Sequence, residues 1–180
     1  MDFDCEFVTS ATDPRGNVTR TSYDAKGNPS QVTIATSSCG ANAPTINLAY
    51  DSHGQLTAIT NLPDANCSRR VDTFTWSQGR LTQRVVDAGG LALTSAFEYD
   101  ARGNLTRYVD PRTNDWLFAY NSLDQLVESS SATLSLCFCK IQWKYAYDAN
   151  DNLVECTAPV FFDDPTTATY RTDRVQYDSW

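Results

Sequence analysis

The chain has 180 residues, with 22 Asp and Glu against 14 Lys and Arg, for a net charge of −8. That balance argues against nucleic acid and anionic lipid as partners, because binding to either rests on clustered cations. A single histidine, His53, removes most His-based catalysis and His metal sites, and no run of 18 apolar residues offers a membrane span. The opening residues, Met1-Asp2-Phe3-Asp4-Cys5, have neither a basic nor an apolar segment of the secretory kind. The acidic residues are 18 Asp and only 4 Glu, and Thr reaches 21. Asp favours turns whereas Glu favours helices, and Thr with the many Tyr, Phe and Trp favours strands. The expected class is all-β.

One unit recurs along the chain. It reads Tyr23-Asp24-Ala-Lys-Gly27-Asn-Pro29, Tyr50-Asp51-Ser-His-Gly54-Gln-Leu56 and Trp76-Ser-Gln-Gly79-Arg-Leu81. It continues as Tyr99-Asp100-Ala-Arg-Gly103-Asn-Leu105, Tyr120-Asn-Ser-Leu-Asp124-Gln-Leu126 and Tyr147-Asp148-Ala-Asn-Asp151-Asn-Leu153, and a seventh copy opens at Tyr177-Asp178. The lead aromatics are spaced by 27, 26, 23, 21, 27 and 30 residues. A repeat of this period cannot bury its apolar side alone and must stack on its neighbours. The predicted organisation is therefore a single repeat array over residues 1–180, with partial copies at both ends.

Asp at the first turn position and Gly three residues on describe a type I turn, in which the Asp side chain accepts backbone N–H groups. Gly in left-handed space then predicts a bulge and a hairpin return. Asp124 and Asp151 stand where other copies have Gly, which Asp tolerates better than most residues. The Trp76 copy is one residue shorter, so its turn must differ. Alternation supports strands around these turns: Cys137, Cys139, Ile141, Trp143, Tyr145 and Tyr147 share one face, against Phe138, Lys140, Gln142, Lys144 and Ala146. The reading is about 12–14 short antiparallel strands, with the lead aromatics and Leu residues forming buried rows.

These residues resemble the YD-repeat, or RHS (rearrangement hotspot), family, whose motif is Tyr-Asp-x-x-Gly-Asn/Arg-Leu at a spacing of roughly 20–30 residues. An interposed Asp-Pro-x-Gly element appears as Asp13-Pro-Arg-Gly-Asn17 and, degraded, as Asp110-Pro-Arg-Thr-Asn114; in each the next lead Tyr follows ten residues after the Asp. The resemblance implies a twisted ribbon of β-hairpins, a segment of a β-solenoid-like shell, in secreted or surface-displayed bacterial proteins that often enclose a C-terminal toxin. The chain is short for a closed cocoon, shows no toxin domain, and lacks the paired Asp-Pro-x-Gly-Leu arrangement associated with self-cleavage in the family. Its ends fall within repeats, which leaves two expectations open: a piece of a longer chain, or copies stacking head to tail.

Six cysteines, Cys5, Cys39, Cys67, Cys137, Cys139 and Cys156, fit an oxidising compartment by their even number. The expected bridges are Cys39–Cys67 and Cys156 with Cys137 or Cys139, leaving Cys5 for a neighbouring copy. A zinc site at Cys137, Cys139 and Cys156 has the wrong spacing, and Asp148, Asn150 and Asp151 lack the downstream Glu of a calcium loop. Arg69 and Arg70 read as a solvated basic spot. The sequons at Asn17, Asn66 and Asn104 follow from the repeat's own composition in two of the three cases. No nucleophile–base pair and no cofactor motif is present, so the chain reads as non-enzymatic, without a cofactor. Three functions follow. The first is a structural building block of an extracellular filament or shell, the second a segment of a toxin-enclosing cocoon. The third is an adhesin or glycan-binding module, which predicts exposed aromatics outside the ladder, Trp116 and Trp180 first.

Overall fold

The computed structural model describes residues 2–4, 7–34, 45–63, 68–131, 141–164 and 167–177. Among them are fifteen strands and no helix. They fall into two compact units, Met1–Thr94 and Ser95–Trp180. The first holds β1 (Asp2–Asp4), β2 (Phe7–Thr12), β3 (Val18–Tyr23), β4 (Pro29–Ile34), β5 (Thr45–Tyr50), β6 (Leu56–Pro63), β7 (Arg69–Ser77) and β8 (Arg80–Val86). β9 (Leu93–Tyr99) runs into the second, which continues with β10 (Leu105–Val109), β11 (Asp115–Tyr120), β12 (Leu126–Ser131), β13 (Gln142–Tyr147), β14 (Leu153–Asp164) and β15 (Thr167–Arg174). Within each unit every strand pairs antiparallel with its neighbours in the chain and touches no other strand among the described residues. Each unit is thus a single-layered meander.

The register puts aromatics on one face. In the second unit Phe97 pairs with Tyr108, Tyr108 with Trp116, Phe118 with Ser129, and Ser129 with Trp143. The rings of Phe97 and Tyr108 stack at 5.3 Å, and the indoles of Trp116 and Trp143 at 6.1 Å. Between those indoles lies β12, whose Ser129 and Ser131 pair with Trp143 and Trp116 and are buried. The opposite face is charged: Arg107 binds Glu98 at 2.6 Å and Asp115 at 2.8 Å, and Arg174 binds Glu155 at 2.9 Å.

One expectation is corrected here. Among the described residues no hydrophobic side chain is fully buried, and the lead aromatics Tyr23, Tyr50, Trp76, Tyr99, Tyr120 and Tyr147 are all half-buried. The physical reason is the single layer, since neighbouring strands cover the rings but no second layer packs over them; Tyr23, stacked on Phe7 at 4.7 Å, is still only half-buried. Tyr99→Ala is accordingly expected to cost about 2 kcal/mol in a urea melt, rather than the ~3–5 of a fully buried aromatic.

The bulge predicted at the turn glycine is present, as Gly27 N–H donates to Asp24 O and Asp24 N–H to Asn28 O with Gly27 at a φ of 85°, and a second, unpredicted bulge follows beyond the turn. In each of the six copies the lead aromatic pairs with the residue six on (five on for Trp76): Tyr23 with Pro29, Tyr50 with Leu56, Trp76 with Leu81, Tyr99 with Leu105, Tyr120 with Leu126 and Tyr147 with Leu153. The register then slips by one. The extra residue of this second bulge is Ser30, Thr57, Thr82, Thr106, Val127 or Val154. A slip of one residue inverts which face every later side chain takes. It lets Leu126 sit opposite Tyr120 while Ser129, three residues on, still sits opposite Phe118. Three hydroxyls fix the bulge by donating to the carbonyl before the aromatic: Ser30 to Ser22 at 3.2 Å, Thr57 to Ala49 at 3.1 Å and Thr82 to Thr75 at 3.1 Å.

Candidate functional site: the repeat turns and their ladder

The turns after the lead aromatics are built around one carboxylate each. Asp24 N–H donates to Asn28 O at 2.8 Å and Gly27 N–H to Asp24 O at 3.1 Å, closing the turn. Asp24 Oδ1 accepts from the N–H groups of Lys26 and Asn28 at 2.8 and 2.9 Å, and Oδ2 accepts from Asn28 Nδ2 at 3.0 Å. Asp100 with Asn104 and Asp148 with Asn152 repeat this arrangement. Asp51 accepts in the same way from the N–H groups of His53 and Gln55. Asn121 substitutes for the Asp in its copy, its Oδ1 accepting from Leu123 and Gln125 N–H at 3.0 Å. The interposed elements fold identically, Asp13 clamped by Asn17 and Asp110 by Asn114.

The fourth turn residue takes a positive φ throughout: 85° at Gly27, 81° at Gly54, 103° at Gly103, 62° at Asp124 and 65° at Asp151. In the degraded element Thr113 is held at 66°. The short Trp76 copy does differ, with Gln78 at 51° and Gly79 at 77°, two consecutive left-handed residues that make a two-residue hairpin turn.

Hydrogen bonding holds these carboxyls below their ordinary range. At Asp13, Asp24, Asp110 and Asp148 the leading cause is the side-chain amide of the partner Asn. At Asp51 and Asp100 it is the backbone N–H of Gln55 and Asn104.

Within each unit, successive turns are tied into a ladder. Trp76 Nε1 donates to Leu56 O at 2.7 Å, Tyr147 OH to Leu126 O at 2.9 Å and Tyr177 OH to Leu153 O at 3.2 Å, so each ring reaches back to the Leu of the preceding copy. Tyr23 OH donates to Val8 O on β2 at 2.8 Å. Burial, and then the carboxylates of Asp24 and Asp100, push the hydroxyls of Tyr50 and Tyr120 up. Side chains add further rungs. Lys26 Nζ donates to Ser52 O and Arg102 NH1 to Ser122 O, Asn104 Nδ2 donates to Asp124 Oδ1 at 2.8 Å, and Gln125 Nε2 to Asp151 Oδ1 at 2.8 Å. Where Asp replaces Gly, its carboxylate is therefore the acceptor for the previous turn's amide. At Gly54 and Gly79 the same amides, of Asn28 and Gln55, lie 3.9 Å from the place of an added Cβ.

The Asn or Gln that closes each turn has a role the repeat pattern displayed without explaining. It occupies the fifth position in the copies led by Asp24, Asp51, Asp100, Asn121 and Asp148 and in both interposed elements. Two sequons fall on it: the amides of Asn17 and Asn104 are donors inside the turns. Asp148 is a turn clamp, and His53, whose side chain is 82% exposed, lies in the Asp51 turn. Arg70 is not merely solvated. Its Nε lies 3.0 Å from Oδ1 of Asp72, a buried carboxylate that also accepts Asp87 N–H at 3.0 Å. Nothing in the repeat pattern marks Asp72, which lies between two turns. Trp116 stacks on Trp143 and is half-buried, and Trp180 and Asp178 lie outside the described residues, as do Cys5, Cys39, Cys67, Cys137 and Cys139. Cys156 is half-buried with a free thiol.

Residues 8–38 and 99–133 match the RHS repeat family. No curated protein matches the sequence. Among solved structures, the Photorhabdus luminescens Tc holotoxin pore is similar with a TM-score of 0.71 and 19% identity over 96% of this chain. The crystal structure of TcdB2-TccC3 is similar with a TM-score of 0.68 and 19% identity over 92%. That of TcdB2-TccC3-Cdc42 gives 0.66 and 20% over 90%. At such identities the likeness is one of fold, and the chain spans 9% of the length of each of those chains. A turn motif repeated six times, a ladder joining copies within each unit, and two segments that match on sequence lead to one conclusion: residues 8–38 and 99–133 are RHS repeats.

Proposed function

We propose that the chain is a non-catalytic wall segment of an RHS-type shell, secreted or displayed at a bacterial surface, in which further repeats enclose a toxin. The observation that carries this reading is the ladder. Trp76, Tyr147 and Tyr177 each donate to the Leu carbonyl of the copy before, and the turn side chains bond within their own turn or to a neighbouring one. Such a structure grows by adding repeats and works by extent, as one-dimensional repeat proteins do. The RHS matches and the fold shared with Tc toxin chains support the shell, and an even number of cysteines suits an oxidising setting.

A second reading, a filament of identical copies, is favoured by the sameness of the rungs. Tyr177 seats on Leu153 much as Tyr147 seats on Leu126, so one copy offers another the contacts its own repeats use. Negative-stain electron microscopy with light scattering, under non-reducing conditions, separates the two. The shell reading expects a 20.0 kDa particle with no regular polymer, whereas regular filaments or rings would replace it with self-assembly.

A further inference from the structure

The polar face of the second unit carries a small cleft between β13, β14 and β15. It has a volume of about 250 Å³ and is lined by Gln142, Lys144, Thr157 and Tyr170. The register gathers these residues: Lys144 pairs with Thr157, and Tyr170 pairs with Pro159, two residues along β14 on the same face. Tyr170 lies outside the aromatic ladder and is 40% exposed. The cation on the adjoining stretch of β15 is committed, Arg174 to Glu155. Lys144 is exposed and has no ion-pair partner among the described residues. Glu128, opposite Lys144 in register, accepts instead from Gln142 Nε2 at 3.1 Å, a bond that uses the Gln142 amide nitrogen and not its carbonyl oxygen.

We propose that this cleft binds the terminal acidic sugar of a glycan, a uronic or sialic acid. The pyranose ring lies against Tyr170, its carboxylate meets Lys144 Nζ, and its hydroxyls meet Gln142 Oε1 and Thr157 Oγ1. An aromatic ring supplies an apolar surface with a polar rim, the complement of a pyranose, and a Lys–carboxylate contact is a charge-assisted bond. The volume is below the ~300–1,000 Å³ of pockets for drug-sized ligands and suits one sugar unit. Phosphate fits less well, because the cleft offers one point charge without the fork of donors that Arg would give. The net charge of −8 acts over a screened distance of only about 8 Å in physiological salt, and both flanking carboxylates already have partners.

Ligand-observed saturation-transfer NMR on the whole chain tests this with glucuronic acid, N-acetylneuraminic acid and glucose. The acids are expected to bind with millimolar Kd and glucose at least about tenfold more weakly, the factor of one lost charged contact. Lys144→Met, at an exposed position that leaves the circular dichroism spectrum unchanged, should reduce both acids to the level of glucose. Equal binding of acid and neutral sugars, acid binding that survives Lys144→Met, or no transfer from any of the three would each overturn the assignment.

Discussion

Replacing Gly103 by Val is expected to lower the stability of the chain by about 2 kcal/mol, read as a fall in urea midpoint at unchanged slope. Gly103 sits at φ 103°, and its N–H donates both to Asp100 O at 3.1 Å and to Asp100 Oδ1 at 2.8 Å. A β-branched side chain there meets the steric penalty of left-handed backbone, and any relaxation toward negative φ turns that N–H away from both acceptors. Gly103→Asn provides the contrast. Asp124 and Asp151 already occupy the equivalent position at 62° and 65°, so a short polar side chain is expected to cost less than about 1 kcal/mol. Equal stability of the Val variant and the parent would show that the turn does not need its left-handed residue. Equal losses for Val and Asn would assign the effect to the loss of glycine as such.

Much of this architecture was legible before any coordinates. Turns are local, so Asp at one position and Gly at the fourth placed the turns at Asp24, Asp51 and Asp100, the lead aromatic and Leu placed the other three, and period-two alternation placed the aromatics of β13 on one face. The short Trp76 turn was legible for the same reason, because a missing residue changes the closure. Three features were not. The bulge after Leu81 or Leu126 depends on which residue lies opposite the aromatic, a relation between strands that a Thr or Val in the sequence does not announce. Half-burial of Tyr99 or Tyr147 depends on whether a second layer exists, and a row of aromatics reads alike with one or without. Asp72 brings Arg70 and Asp87 together across strands with no periodic sign. The ladder lies between these extremes. Gln125 and Asp151 are visible as members of the motif, but the 2.8 Å bond between them exists only because copies 26 residues apart come into register.

That ladder of carboxylates predicts a specific response to acid. Asp13, Asp24, Asp51, Asp100, Asp110 and Asp148 clamp turns, and Asp124 joins two of them; all seven are held below their ordinary value of 3.8. A carboxyl with a depressed folded pKa contributes stability that is fully present above the unfolded value and is lost as pH falls through the folded one. The turns are therefore expected to hold at full strength from neutral pH down to about 5, to weaken as pH falls below about 4, and to fail at still lower pH. Each group is exposed or half-buried and is screened by solvent, so the effect at any one turn is modest. The steepness of the acid limb comes from several turns taking up protons together. Urea midpoints at intervals from pH 7 to pH 2 measure it. Asp100→Asn is the informative variant, because Asn121 already holds a turn as an amide, with its Oδ1 accepting from two N–H groups. It is expected to flatten the acid limb by about one proton while leaving the turn closed at neutral pH. An acid limb as steep in the variant as in the parent would mean that the protons enter elsewhere and that the Asp clamps do not govern the acid response.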